Sequence, residues 1–187
     1  DNAPTANPGY ELYQLVQSVA SMGYVVAIAD YIGFGSSDHI FHPYLHREST
    51  VQSLVDLLYA AHEFSEDILT DVSISNEVYL TGYSQGGWST LALLSALENG
   101  YGGDFRVKAC VCGAGPYDLK FFNDYVMELD TYPSPGFLAY ISNAWIEHGI
   151  INKELEDLFL APYAAAIPLL LDGHHSIDEV HDGLSTS

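Results

Sequence analysis

The sequence predicts an α/β protein: a mostly parallel sheet with helices on both faces, followed by a helical cap. Three observations carry that prediction. Helical and extended patterns alternate from residue 10 to residue 115. The run "YVVAIAD" at 24–30 is continuously apolar, as a strand covered on both faces is. From residue 119 onward the chain turns aromatic and mostly helical. At 187 residues, 48% hydrophobic and 13% aromatic, it has the apolar content for a sizeable core, which excludes a disordered chain.

The elements follow in order. "DNAPTANPG" is a loop by composition. Residues 10–22 place Leu12, Leu15, Val16, Val19 and Ala20 at helical spacing, and Gly23 ends the helix. The strand at 24–30 leads into the glycine turn "YIGFGSSD" and the loop "HIFHPYLHRE". Ser49 or Thr50 can cap the next helix, whose stripe is Val51, Leu54, Val55, Leu58 and Ala61, running to about Ser65. "NEVYLTGY" (76–83) reads as a strand, "GGWSTLALLSALEN" as a helix ended by Gly100, and "FRVKACVCGAG" (105–115) as a third strand. Residues 1–118 thus read as a partial core and 119–187 as a cap. Pro133, Pro135, Pro162 and Pro168 divide the cap into short pieces, and "AIPLLLD" is its one weak strand candidate.

Between the strand at 76–83 and its helix lies Gly82-Tyr83-Ser84-Gln85-Gly86, a G-x-S-x-G in the strand–turn–helix setting such a motif requires. The nucleophile of such an elbow sits in strained backbone with its hydroxyl raised above the sheet. The residues two before and two after it approach closely, so glycines are expected at 82 and 86, while Gly87 eases helix–strand packing. The following helix aims N–H groups at the site, and the Gln85 N–H is the expected oxyanion donor.

On these residues the chain resembles the α/β-hydrolases, and within them exported bacterial esterases and secretory-lipase-like enzymes. The resemblance is carried by "GYVVAIADYIGFGSSD" (23–38), "HPYLHREST" (42–50), "VYLTGYSQGGWSTL" (78–91) and "VKACVCGAGPYDL" (107–119), and it extends over most of the chain. It implies a sheet in which another strand lies between those at 24–30 and 76–83. It also implies a second oxyanion donor from an upstream loop, and an acid and a histidine on strands after Ser84. N-terminal and C-terminal strands of that fold are not recognisable here. The chain therefore reads as an internal fragment, with further segments of the same hydrolase expected upstream and downstream. It is expected not to fold by itself, because a strand-wide gap would leave sheet hydrogen bonds unmade.

Local stand-ins for the missing acid and base can be named. Asp118 follows the third strand, where a minority of these hydrolases place their acid; equally, "PYD" reads as a turn whose Asp caps the next helix. Asp172 with His174 and His175 makes a compressed Asp–His pair, against which Pro168 and the cap pattern argue. His174, Asp178 and His181, with Asp182 nearby, have a zinc-like helical spacing, but a solvated acidic helix end accounts for them better. His39, His42 and His46 either shape their loop through backbone carbonyls or touch substrate. Phe121, Phe122, Tyr125, Tyr132, Phe137, Tyr140 and Trp145 are cap packing first, with some rings available to a substrate.

Composition narrows the function. With 25 acidic residues against 5 basic and a net charge of -20, the surface repels phosphate backbones, which excludes nucleic acid as a partner. No apolar run reaches membrane-spanning length. Cys110 and Cys112 lie on one face of a strand with Cα atoms roughly 6.5 Å apart, near the limit for a disulfide, and read as buried free thiols. No metal or other cofactor is implied. The expected activity is hydrolysis of a small-molecule or lipid carboxylic ester through an acyl-enzyme on Ser84. Peptidase and acyltransferase chemistry on the same fold remain open, as does a non-catalytic binding module of a surface assembly. Resemblance and acidity together suggest an exported bacterial protein.

Overall fold

The computed structural model describes residues 3–11, 13–68 and 71–185, so the predicted stripe residue Leu12 lies outside the described residues. The chain divides into two units. One comprises the segment up to Tyr31 together with Arg47–Gly115; the other comprises Ile32–His46 and the chain from Pro116 onward.

The first unit holds α1 (Tyr13–Ala20), α2 (Arg47–Asp67), β1 (Glu77–Tyr83), α3 (Gln85–Glu98) and β2 (Arg106–Gly113). β1 and β2 run parallel, with Leu80 opposite Cys110, Gly82 opposite Cys112 and a register shift between Val78 and Tyr79. The unit is a small parallel sheet with a crossover helix, part of an α/β-hydrolase fold. Its core forms where α2 and α3 cover one sheet face: Val51, Val55, Ala92, Leu93, Ala96, Leu97 and Phe105, with Leu54, Leu58, Val78, Leu80 and Val107 packed on it. The α2 stripe read from the sequence supplies Val51, Leu54, Val55 and Leu58 of that core. The other sheet face carries exposed Tyr79, Tyr83 and Val111, with Tyr24 meeting Tyr79 edge-on at 5.6 Å.

Three local expectations are corrected. Residues 24–30 are assigned no strand, and Tyr24, Val25, Val26 and Ile28 are exposed. A β-branched run becomes a strand only when a neighbour supplies its ladder, and the one ladder among the described residues joins β1 to β2. The α1 stripe is likewise unburied, with Leu15 and Val19 exposed. Neither Ser49 nor Thr50 is the residue before the helix, because α2 begins at Arg47 and encloses both.

The second unit contains a 3-10 turn at Gly35–Ser37 and α4 (Leu119–Met127), α5 (Pro135–Glu147), α6 (Leu155–Leu158), α7 (Ala161–Leu170) and α8 (Ile177–Asp182). Its core is Ala139, Ile167, Leu171, Val180 and Leu184, flanked by Phe41, Tyr140, Leu155, Phe159, Tyr163 and Leu170. "AIPLLLD" is helical for most of its length: α7 runs through Pro168 to Leu170, so neither the weak strand nor the break at that proline is realised. Pro135 and Pro162 sit in the first turns of α5 and α7, where a missing N–H costs nothing. Burial pushes the Tyr44 hydroxyl up to about 12, with Tyr132 adding to the shift.

Candidate functional site

Ser84 stands at the junction of β1 and α3 with φ 54° and ψ -123°, a backbone region that a non-glycine residue seldom occupies. Strain of this kind costs on the order of 1–3 kcal/mol and persists only where surrounding structure imposes it. Two hydrogen bonds impose it here. The Ser84 N–H donates to the Gly113 carbonyl at 2.8 Å, and the Ser84 carbonyl accepts from the Trp88 N–H at 3.2 Å. Ser84 is exposed, and its hydroxyl has no hydrogen-bond partner among the described residues.

The elbow is tight on one side only. A Cβ on Gly82 would fall on the Gly86 carbonyl oxygen and 2.5 Å from Thr90 Oγ1, a separation real Cβ atoms do not show. A Cβ on Gly86 would meet only the Tyr31 hydroxyl, at 3.8 Å. The close approach expected of both glycines is therefore a demand on Gly82. Beneath the start of α3, the Tyr31 hydroxyl bonds Ser89, whose Oγ donates to the Gln85 carbonyl at 2.9 Å. Burial raises the Tyr31 hydroxyl above its ordinary range, and the Ser89 bond opposes that shift. Tyr31 itself has φ 67°.

Gln85 opens α3, so its N–H lies in the first turn, where backbone donors lack helical acceptors. Asp118 is the N-cap of α4, its carboxylate accepting the Phe121 N–H at 2.9 Å, which is the turn role the sequence allowed it. Asp172 accepts the His174 N–H and the His175 Nδ1–H on one oxygen, both at 2.8 Å. Those bonds, the backbone one first, hold its carboxyl below the usual range.

The remaining histidines mostly serve local structure. His42 is buried, with Nδ1 2.6 Å from the Ile32 carbonyl and its ring between Phe34 and Tyr44. A Cβ on Gly33 would strike the His42 backbone at 2.6 Å, so the loop closes on itself there. His46 stacks on His148 at 4.2 Å and 5°. His39 lies beside Asp38 at 3.9 Å with both side chains exposed. His181 accepts the Gly136 N–H on Nδ1 at 3.0 Å, which occupies one ring nitrogen of the zinc-like set. No group of three metal-ligating side chains is found among the described residues.

The family model described as the prolyl oligopeptidase family matches residues 10–135. The chain belongs to that family. It is a hydrolase family of the α/β-hydrolase superfamily, so the resemblance read from the sequence holds at that level. Among solved structures, a Legionella pneumophila protein assigned as a hydrolase is 32% identical with a TM-score of 0.78. The alignment covers 88% of this chain and 44% of that one. The rice cell wall degrading esterase LipA of Xanthomonas oryzae is 28% identical, with a TM-score of 0.72 and coverage of 84% and 42%. A ligand-bound form of LipA matches at 29% identity and a TM-score of 0.71. The chain thus spans less than half the length of these structures. Curated proteins yield no match.

Within this family setting, Tyr31 is the neighbour of the elbow that sequence reasoning missed. The signal was its place right after the apolar run at 24–30, but a tyrosine in a glycine turn has no pattern of its own. Cys110 and Cys112 are free thiols with Sγ atoms 3.3 Å apart on β2, only partly buried. Burial, then the bond to Cys112, pushes the Cys110 thiol up to about 11.

Proposed function

We propose that Ser84 is the nucleophile of a hydrolase acting on carboxylic esters. The observation that carries the proposal is the Ser84 backbone, φ 54° and ψ -123°, between a parallel strand and a helix, with Gly82 unable to bear a side chain. A serine held in that conformation, its hydroxyl unpartnered among the described residues, is suited to attack a carbonyl. In the proposed mechanism its Oγ adds to the ester carbonyl, and the Gln85 N–H with one further N–H holds the resulting oxyanion. The alcohol leaves, and water releases the acid from the acyl-enzyme. The histidine that takes the serine proton, the acid that orients it and the second oxyanion donor are assigned to further segments of the same hydrolase. No cofactor enters the proposal. A small-molecule or lipid ester is proposed from the resemblance to esterases and lipases, and export from a bacterial cell from the acidic composition.

A second reading, amide hydrolysis, is favoured by the family match itself, since the family's description names an oligopeptidase. Rates of the full-length protein on p-nitrophenyl esters and on aminoacyl p-nitroanilides decide between them. Ester hydrolysis predicts turnover of the former, abolished by Ser84→Ala. Preference for the amides would move the assignment to a peptidase.

A further inference from the structure

The second unit carries a half-open cavity of about 820 Å³, lined entirely by its own residues. Small-molecule sites span about 300–1,000 Å³. Phe41, Tyr140, Leu155 and Leu171 provide apolar wall, and the Phe41 and Tyr140 rings stack at 6.5 Å and 18°. Into this wall is set Asn143, only 9% exposed. Its side-chain amide has no hydrogen-bond partner among the described residues. The amide reaches the cavity, where a polar group delivered by a ligand can bond it.

The charge around the cavity has one sign. Asp38, Glu147, Glu154, Glu156 and Asp172 line it, and no lysine or arginine does. His39, His42 and His174 line it as well. His42 is committed through Nδ1 to the Ile32 carbonyl, and one oxygen of Asp172 to the His174 N–H and His175. Carboxylates set in a concave, partly apolar wall focus a negative potential, so an anion is repelled and a cation of the same shape drawn in. Aromatic faces add to the attraction for a cation.

We propose that this cavity binds a small organic cation: an apolar chain or ring bearing a primary ammonium group. The ammonium donates to Asn143 Oδ1 and to the wall carboxylates, and the apolar part lies against Phe41 and Tyr140. The site goes beyond ester hydrolysis and does not depend on it. The loop histidines His39 and His42, for which substrate contact was one of two sequence readings, belong to this site.

The test is calorimetric titration of the full-length protein at neutral pH with three ligands of one chain length: octylammonium, octanol and octanoate. The expected order is octylammonium tightest and octanoate weakest, separated by at least about tenfold, with the gap narrowing as salt is added. Glu147→Gln with Glu154→Gln weakens octylammonium and narrows the gap, while Asn143→Ala weakens octylammonium and octanol together. Ser84→Ala leaves all three affinities unchanged, so failure of the hydrolase reading is distinguishable from failure of this one. Octanoate binding as tightly as octylammonium to the unsubstituted protein overturns the proposal. So does indifference of a folded Gln double variant, or no binding of any of the three at millimolar concentration.

Discussion

The Ser84 amide donates to the Gly113 carbonyl across 2.8 Å, so the residue after β1 is fastened to the last residue of β2. The bond continues the parallel ladder one step past the strand and into the turn. It helps hold Ser84 at φ 54° while the chain reverses into α3. The elbow is therefore a property of two strands and a helix, not of five residues alone.

Gly82 and Gly86 are predicted to respond oppositely to alanine. Gly82→Ala puts a methyl group onto the Gly86 carbonyl, with backbone on one side and Thr90 on the other. It should cost about 1–3 kcal/mol and displace Ser84. Gly86→Ala meets only a hydroxyl at 3.8 Å and replaces glycine within α3. It should be neutral or stabilising by up to about 1 kcal/mol. Thermal melts of the two variants check the contrast, and equal losses would contradict it.

Asp118 is predicted to matter for α4 and not for chemistry. Asp118→Ala should lose about 1 kcal/mol through the cap on the Phe121 N–H, while Asp118→Asn, which can still accept that bond, should keep both stability and turnover. Loss of turnover in a folded Asp118→Asn protein would restore the residue as the acid.

Acid should weaken the protein partly through His148. Burial, then the neighbouring His46, lowers its pKa, with Glu147 acting the other way. A base with a lowered folded pKa takes up its proton more readily when unfolded. Stability therefore falls as pH drops below the unfolded value of 6.5 and levels off below the folded one. His148 is an exposed residue, so solvent screening keeps the effect small. Denaturant melts from pH 7.5 to 5 should show a shallower loss for His148→Asn than for the unsubstituted protein; identical slopes would exclude the stack as a contributor.

Cys110 should alkylate slowly. With its thiol pushed up to about 11, little thiolate exists near neutrality. Iodoacetamide trapping read by peptide mass should find Cys110 lagging behind a free thiol at pH 8, and rising sharply toward pH 11. Rapid labelling at pH 7 would show that the burial assigned to it is absent.

What could be read from the sequence was what the chain settles locally or with near neighbours. β1, the elbow, α3 and β2 are contiguous, and the apolar residues of their strands and helix meet one another in one core. The strand expected at 24–30 failed for the opposite reason, because its ladder depends on a neighbour that sequence pattern cannot supply. In "AIPLLLD" a strand-like apolar run with an internal proline is helical, because Ile167 and Leu171 are spaced to bury together against Ala139 and Val180. The asymmetry of the elbow was hidden too, since G-x-S-x-G treats its two glycines alike. The Asn143 cavity had no sequence signal at all, being assembled from a loop and several helices of the second unit.

The most direct test is fluorophosphonate labelling of the full-length protein, with the modified residue located by peptide mass. The account predicts a single adduct on Ser84, absent from Ser84→Ala. A folded protein that takes no label there, or takes it on another serine, would contradict the central claim.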